Sequence, residues 1–224
     1  MSVYAFSDLH GEYTLWQKIK EFINPDDTIY CLGDCVDRGP DGWKIIKEAL
    51  DMPNLIYIRG NHDQFILDWD IHLWTQNGGA PTIEAALSDS PEERERIKQK
   101  LQKTSLIDTY INTSGKGIVM CHAGFDPELI QLMDEDALMW GRQHISRSWP
   151  KTWENNDMVI VHGHTPVQYL KIFMQFKEEK DMDSGAYWYC GGRKCCIDQG
   201  SFASGKALLL DLDTFEEHLF TTDV

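Results

Sequence analysis

The fold is indicated most clearly by residues 28–39, which read TIYCLGDCVDRG. Thr28–Leu32 is a short run of β-branched, aromatic and apolar residues, which is typical of a buried strand. A glycine ends this run, and the polar loop behind it carries Asp34, Asp37 and Arg38. A strand that delivers charged side chains directly from its carboxyl end indicates a site at the edge of a parallel sheet.

Four other strand-like segments end in the same way, with a glycine next to Asp, His or Asn. They are Val3–Ser7 before Asp8-Leu9-His10-Gly11, Leu55–Arg59 before Gly60-Asn61-His62-Asp63, Gly117–Cys121 before His122-Ala123-Gly124, and Met158–Val161 before His162-Gly163-His164-Thr165. Because the carboxyl ends of such strands share one edge of a sheet, these side chains should converge although they are distant in sequence. Carboxylate, imidazole and amide ligands without a thiolate suit Mn, Fe or Zn.

The segments between the strands have helical patterns. Tyr13–Phe22 and Trp43–Leu50 each carry apolar residues on one face, so strands and helices alternate and the sequence predicts an α/β domain. Residues 64–114 interrupt this alternation, and Ser90, followed by a proline, predicts the start of a helix there. We interpret 64–114 as a helical cap inserted into a single domain of residues 1–224. Residues 171–192 suggest a hairpin or a loop.

Composition limits the partners and the compartment. The 224 residues contain 21 Lys and Arg against 36 Asp and Glu, a net charge of −15. This charge argues against nucleic-acid binding, which depends on basic residues that neutralise phosphates. No apolar run approaches the ~20 residues of a membrane span, and the start of the chain does not resemble a signal peptide. We therefore expect a cytoplasmic protein that does not bind membranes, with reduced cysteines.

The strand-end motifs together resemble the signature blocks of calcineurin-like metallophosphoesterases. More narrowly, they resemble the phosphoprotein phosphatase branch and its small bacterial and phage members, which are serine/threonine phosphatase-like. The matching blocks are Asp8-x-His10, Gly33-Asp34-x-x-Asp37-Arg38-Gly39, Gly60-Asn61-His62-Asp63, His122, Gly163-His164-Thr165-Pro166 and Ile197-Asp198-Gln199-Gly200. The resemblance covers the chain except the cap and residues 171–192, and it implies an αββα sandwich of two sheets flanked by helices.

The resemblance also implies two divalent metal ions, with Mn²⁺ expected and Fe or Zn as alternatives. The implied ligands are Asp8, His10 and Asp34 for the first ion and Asp34, Asn61, His122 and His164 for the second. A water molecule activated by the ions would hydrolyse the ester directly, without a phosphoenzyme. Asp34 would contribute to both ions as the shared carboxylate.

The remaining implied roles concern proton transfer and phosphate binding. His62 would be the general acid, and Asp37 would orient its imidazole, as a carboxylate commonly does for a catalytic histidine. Arg38 would bind the phosphate oxygens with help from Asn61, because a guanidinium group suits phosphate. A second arginine is usual in relatives, and Arg142 is our candidate.

Several residues have alternative readings. His162 is a competing ligand two residues before His164, and we interpret it as a packing or supporting residue. Cys190, Cys195 and Cys196 form a possible zinc cluster, but they lack the paired spacing of structural zinc sites. Trp69 and Trp74 in the cap are core residues on the simplest reading, with an adenine platform as the alternative.

The leading functional prediction is a two-metal phosphomonoesterase similar to serine/threonine protein phosphatases, acting on a phosphorylated protein or a small phosphate ester. The alternative is a symmetrical dinucleoside tetraphosphate hydrolase. Asp63 stands where the eukaryotic-type phosphatases commonly have Glu, which weakens the protein phosphatase reading. A non-catalytic binding module is a remote alternative that would be expected to have lost ligands. The sequence leaves the oligomeric state open.

Overall fold

A computed structural model describes residues 1–128, 134–174 and 184–222 of the chain. The strands in those ranges form two five-stranded sheets. The first contains β1 (Val3–Phe6), β2 (Thr28–Cys31), β3 (Leu55–Tyr57), β9 (Lys206–Asp211) and β10 (Glu217–Thr221), in the order β10-β9-β1-β2-β3. The second contains β4 (Ile107–Ile111), β5 (Gly117–Cys121), β6 (Met158–His162), β7 (Tyr187–Tyr189) and β8 (Lys194–Cys196), in the order β4-β5-β6-β8-β7.

The helices lie between these strands. They are α1 (Tyr13–Phe22), α2 (Gly42–Asp51), α3 (Asn61–Asp68), α4 (Ile71–Gln76), α5 (Ala80–Ser88), α6 (Pro91–Leu101), α7 (Glu135–Trp140), α8 (Leu170–Phe173) and α9 (Ser201–Ser204). Within the ranges that the structure describes, none of them combines the length and the apolar character needed to cross a bilayer.

The two sheets pack face to face. Successive residues of a strand point to opposite sides of its sheet, so each strand contributes side chains to two cores. In β1, Tyr4 and Phe6 join the core beneath α1 and α2, whereas Ala5 faces the other sheet. In β5, Ile118 and Met120 belong to the same core between the sheets as Ala5. Helices cover the outer faces, so the predicted αββα sandwich is confirmed.

The range predicted as a helical cap contains both helices and a strand. Helices α4, α5 and α6 lie within residues 64–114, and the Ser90 hydroxyl accepts a hydrogen bond from the Glu93 N–H at 3.1 Å, which confirms the predicted helix start. Strand β4 also lies in this range and pairs antiparallel with β5. Its sequence, IDTYI, is rich in β-branched and aromatic residues, which favour a strand. The limits of the domain and of the cap stay predictions.

Residues 171–192, predicted as a hairpin or a loop, contribute one strand, β7, to a hairpin whose second strand, β8, begins at Lys194. Strands β7 and β8 pair antiparallel, with Tyr187 opposite Cys196 and Tyr189 opposite Lys194. Residues 175–183 of this segment lie outside the described part of the chain. The β8 strand ends three residues before Gln199, so the hairpin delivers the Ile197-Asp198-Gln199-Gly200 motif to the same edge as the other strands.

Candidate active site

The loops that follow the strands meet at one edge of the sandwich. Strands β1, β2 and β3 are parallel, and so are β5, β6 and β8, so their carboxyl ends lie together in each sheet. Backbone hydrogen bonds join the loops: the Asp8 N–H donates to the Gly33 carbonyl at 3.1 Å, and the Gly163 N–H donates to the His122 carbonyl at 2.8 Å. The convergence predicted from the strand ends is thus present in the fold.

The backbone of this edge is strained at the residues of interest. Positive φ angles are rare outside glycine and cost of the order of 1–3 kcal/mol each, so they persist only where the surrounding structure enforces them. In the described part of the chain, nine residues other than glycine have a positive φ angle, and six of them are predicted site residues. These six are Asp8, His10, Asp34, Asp37, Arg38 and His164.

The first group of candidate ligands surrounds His10. Its Nδ1 lies 2.9 Å from the Val36 carbonyl oxygen, which leaves Nε2 free to face the carboxylates. That Nε2 lies 3.7 Å from Asp8 Oδ1 and 3.8 Å from Asp34 Oδ2. Burial, with help from the Arg38 charge, lowers the pKa of His10 well below the ordinary value and so favours the neutral ring. A neutral imidazole is the form that binds a metal ion.

The second group surrounds His122. Its Nδ1 lies 2.6 Å from the Leu32 carbonyl oxygen, and its Nε2 lies 3.3 Å from Asp34 Oδ2 and 3.0 Å from Asn61 Oδ1. His164 completes the group, with its ring centre 5.1 Å from that of His122. Burial favours neutral His122, but the charge of the nearby Asp34 outweighs it and raises the pKa of His122 to about 10. The group therefore attracts positive charge in spite of its burial.

His164 supplies a direct test of whether a metal ion fits. Its Nε2 is buried and has no hydrogen-bond partner among the described residues. Leaving a buried polar atom without a partner is costly, so an atom of this kind needs an explanation such as an ion. The His10 and His122 rings are each held at Nδ1 by a backbone carbonyl, the arrangement that fixes metal-binding imidazoles. The donor set therefore fits divalent metal ions.

Asp34 is shared by both groups of ligands. His10, Asp34 and His62 offer ligand atoms within 4.8 Å of one another, and so do Asp34, His122 and His164. Burial opposes ionisation of Asp34, but the charges of His122 and His62 prevail and hold its pKa well below the ordinary value. Asp34 Oδ1 also accepts the His62 N–H at 2.9 Å, which leaves Oδ2 for the centre of the site. The structure thus puts the predicted bridging carboxylate between the two groups.

A carboxylate contacts one ring nitrogen of His62. Its Nδ1 lies 2.7 Å from Asp37 Oδ2, and its Nε2 lies 3.2 Å from Nη2 of Arg38. Asp37 is fully buried, and both of its oxygens accept the indole N–H of Trp74, at 2.8 and 2.9 Å. The predicted pairing of His62 with Asp37 is therefore present, and Trp74 fixes the carboxylate behind it.

Trp74 has a contact that sequence reasoning did not find. Its core location is confirmed, and because it is fully buried, it cannot stack on an adenine. Trp69 packs against it, with the ring centres 5.5 Å apart. Only the fold shows that the indole N–H reaches Asp37, since the two residues are 37 positions apart.

We expect Trp74→Phe to lower kcat for p-nitrophenyl phosphate about 10- to 100-fold, because a hydrogen bond to a charged group contributes about 1.5–3 kcal/mol and each ~1.4 kcal/mol is a factor of ten. KM and the metal content should stay unchanged, since the indole N–H of Trp74 bonds to Asp37, which is not among the proposed metal ligands. Trp69→Phe is the matched control, because it removes an indole from the same cluster without a contact to Asp37. Equal losses in both variants would show that Trp74 acts only through packing.

The two arginines differ in how the structure places them. Arg38 lies against His62, as described above. Arg142 follows α7; its Nε donates to Thr165 Oγ1 at 3.2 Å, and its guanidinium group lies 5.5 Å from the ring centre of Phe173. Burial lowers the pKa of Arg142, while the charges of Asp198 and Asp8 oppose that shift. Both arginines thus face the edge where the ligands converge.

Other residues support the site without having been assigned to it. Asp63 accepts the N–H groups of Gly60 and Asp34 at 2.9 Å each and the Tyr57 hydroxyl at 3.0 Å. Burial is the largest cause that raises the pKa of Asp63, to about 7. The residue noted in the sequence as a departure from the phosphatase pattern therefore joins two of the loops. The Ser7 hydroxyl similarly donates to Asp8.

The alternative metal ligands do not belong to this centre. His162 lies 3.0 Å from the Gly163 carbonyl oxygen through Nδ1 and 2.8 Å from the Tyr189 hydroxyl through Nε2, which confirms a supporting role. Cys195 and Cys196 are neighbours in β8 and pack into different cores, so they cannot share a zinc ion. Among the described residues, neither group able to hold a metal ion contains a cysteine.

Gly163 allows the loop after β6 to approach β1. A Cβ atom there would lie 1.9 Å from Ser7 Oγ and 2.2 Å from Asp8 Oδ2, distances at which the neighbours must move. We expect Gly163→Ala to lower kcat about 10²-fold, since displacing a reacting group by about 1 Å costs that much. Overpacking should also reduce the free energy of unfolding by about 1–3 kcal/mol, measured by denaturant titration.

Gly117→Ala is the matched control for this substitution. A Cβ atom at Gly117 would lie 3.2 Å from the flexible Met158 side chain and 3.8 Å from the Asp157 carbonyl oxygen, an ordinary van der Waals distance. We expect near-normal activity and stability for that variant. Full activity of Gly163→Ala would contradict the close approach of the two loops.

The comparisons with known proteins agree with this geometry. Fold and site together define a two-sheet α/β sandwich with two groups of side chains at one edge that could each hold a metal ion. The chain belongs to the calcineurin-like phosphoesterase family, whose family model matches residues 1–208. A crystal structure of a protein proposed to be a diadenosine tetraphosphatase has the same fold, with a TM-score of 0.66 and 16% identity over 98% of this chain and 92% of that one.

Two curated relatives are bis(5'-nucleosyl)-tetraphosphatases. The symmetrical enzyme of Legionella pneumophila (strain Lens) is 34% identical over 132 residues, which cover 57% of this chain and 46% of that protein. The asymmetrical enzyme of Oceanobacillus iheyensis is 28% identical over 157 residues, 62% of each chain. The chain thus spans about half the length of the first of these relatives and somewhat less than two thirds of the second.

Proposed function

We propose that this protein hydrolyses dinucleoside tetraphosphates, and that symmetrical cleavage into two nucleoside diphosphates is its reaction. The observation that carries the proposal is the shared position of Asp34 between two ligand groups, next to His62, whose ring contacts Arg38. The similarity to tetraphosphatases supports this substrate more strongly than a phosphorylated protein. The comparisons thus favour the alternative that we stated from the sequence over a serine/threonine phosphatase.

Two divalent metal ions would complete the site. We propose Asp8, His10 and Asp34 as ligands of one ion and Asp34, Asn61, His122 and His164 as ligands of the other. When bound, such ions supply positive charge to the phosphate oxygens and make water more acidic. We propose Mn²⁺ as the native ion, since oxygen and imidazole donors without a thiolate suit it.

The side chains of the protein would bind the phosphate and supply the proton. Arg38, with Arg142 and Asn61, would hold the phosphate oxygens, because a planar guanidinium group binds them in pairs. His62 would protonate the oxygen that leaves when water attacks phosphorus and the P–O bond breaks. Asp37 would keep the imidazole in the required orientation, and Trp74 would hold Asp37.

The surroundings support the remaining parts of the proposal. All six cysteines lie in the described ranges and none forms a disulfide, which suits the reducing cytoplasm. The net charge of −15 would disfavour nucleic acid, whereas the cations of the site would still accept a small polyanion. We propose no membrane partner.

Product analysis tests this function directly. The protein is stripped of metal, reloaded with Mn²⁺, and incubated separately with diadenosine tetraphosphate and with a phosphoserine peptide. We expect ADP as the only nucleotide product, and little phosphate from the peptide. Equal amounts of AMP and ATP would show asymmetrical cleavage instead. Release of phosphate from the peptide, without cleavage of the dinucleotide, would favour a protein phosphatase instead. No turnover of either substrate would indicate a binding module.

A further inference from the structure

A cavity of about 430 Å³ adjoins the proposed active site. Arg38 lines it, and the same guanidinium group lies 3.2 Å from Nε2 of His62. A substrate whose phosphate lies at Arg38 and His62 can therefore extend into this cavity. Its volume falls within the ~300–1,000 Å³ that is usual for small-molecule sites.

Two aromatic side chains line the cavity and remain accessible. Tyr169 is 55% exposed and Phe202 is 52% exposed, although large aromatic side chains are usually buried. Tyr169 ends the short 3-10 helix after the β6 loop, and Phe202 belongs to α9, which follows the β8 loop. Exposed aromatic rings beside a phosphate site are suited to stacking on a nucleobase.

The walls of the cavity are held in place. The Val167 N–H donates to the Asp198 carbonyl at 2.9 Å, and Gln168 Nε2 donates to the Gln199 carbonyl at 3.1 Å. These bonds join the segment that carries Tyr169 to the segment that carries Phe202. The two rings are thus presented by a preformed structure, which reduces the entropy lost on binding.

The charge of the cavity also indicates which kind of ligand it favours. Arg38 and Lys206 line it, and none of the described residues around it is acidic, in a protein with a net charge of −15. Lys206 forms no ion pair within residues 1–128, 134–174 and 184–222. A cationic and aromatic cavity in an acidic protein favours a ligand that combines an anion with a flat ring.

We propose that this cavity binds one nucleoside half of the dinucleoside tetraphosphate, with Tyr169 and Phe202 on the base and Lys206 near its phosphates. This inference rests on the proposed function, because the reacting phosphate must lie at Arg38 and His62. It assigns substrate preference to Tyr169 and Phe202, which lie outside the motifs at the strand ends, since small esters would not reach the two rings.

The test compares two substrates in the Mn²⁺-loaded full chain. We expect Tyr169→Ala and Phe202→Ala each to raise KM for diadenosine tetraphosphate about tenfold, the usual effect of losing one stacked ring. The KM and kcat of both variants for p-nitrophenyl phosphate should stay within about twofold of the wild-type values. Inhibition of p-nitrophenyl phosphate hydrolysis by ADP should weaken by a similar factor. Ile111→Ala, at a 73% exposed position on the distant edge strand β4, is the control and should change neither substrate.

The outcomes separate the inference from the function on which it rests. If the wild-type protein cleaves p-nitrophenyl phosphate but not diadenosine tetraphosphate, the proposed function fails. If it cleaves the dinucleotide and both variants match it, only the assignment of the cavity is overturned. Equal losses with both substrates would also overturn that assignment, because they would show general damage to the site.

Discussion

Replacement of Asp34 with asparagine is expected to remove most of the bound metal and to lower kcat/KM for diadenosine tetraphosphate by about 10³-fold. The magnitude follows because bound metal ions contribute several kcal/mol to the transition state, and each ~1.4 kcal/mol is a factor of ten. Asn keeps the Oδ1 atom that accepts the His62 N–H, so the loop should retain its conformation. What is lost is the second carboxylate oxygen, which lies 3.3 Å from His122 Nε2.

The control for this substitution is Asp26→Asn, at an exposed position between α1 and β2. Metal content is measured by elemental analysis after dialysis, and folding by circular dichroism. Asp26→Asn should match the wild-type protein in every respect. An Asp34→Asn protein that retained two ions per chain and full activity would show that Asp34 does not bridge the two groups.

The second large effect is expected for His62→Asn, which should keep the metal and lose about 10²- to 10⁴-fold in kcat, the usual contribution of a general acid. The loss should depend on the leaving group. Phenolate is a more basic leaving group than p-nitrophenolate and needs the proton more, so the loss should be larger for phenyl phosphate. The measurement is kcat for both esters in wild-type and variant proteins.

Asp37→Asn is the corresponding substitution for Asp37, the second member of the His62–Asp37 pair. It leaves His62 in place but removes the charge 2.7 Å from its Nδ1, so kcat should fall while metal content stays constant. If His62→Asn lowered kcat by the same factor for the two aryl esters, that result would contradict proton donation by His62. It would leave phosphate binding, next to Arg38, as its role.

Much of the site could be predicted because it depends on local sequence at the ends of strands. Asp8, Asp34 and His122 follow apolar runs directly, and parallel strands bring their carboxyl ends together whatever lies between them. The same pattern indicated an α/β domain, and the family resemblance implied its αββα architecture. The strand β4 was not recognised, because five residues with mixed exposure give a weak periodic signal.

Other features depend on tertiary contacts that no local pattern reveals. The bond from Trp74 to Asp37 joins a helix of the predicted cap to the β2 loop, and a buried tryptophan usually indicates only packing. The cavity beside Arg38 combines Tyr169 and Phe202, which are 33 positions apart in the sequence. The segments carrying them are brought together by hydrogen bonds between backbone and side chains, which sequence periodicity does not encode.

The metal centre itself is tested most directly by a crystal structure of the wild-type protein grown with Mn²⁺, with anomalous difference maps recorded at the manganese edge. We predict two peaks about 3.5–4 Å apart, the separation typical of two-metal sites. Asp34 should lie between them, with His10 beside one peak and His122 and His164 beside the other. A single peak, or peaks away from Asp34, in a protein that is active under the same conditions would contradict the two-metal account.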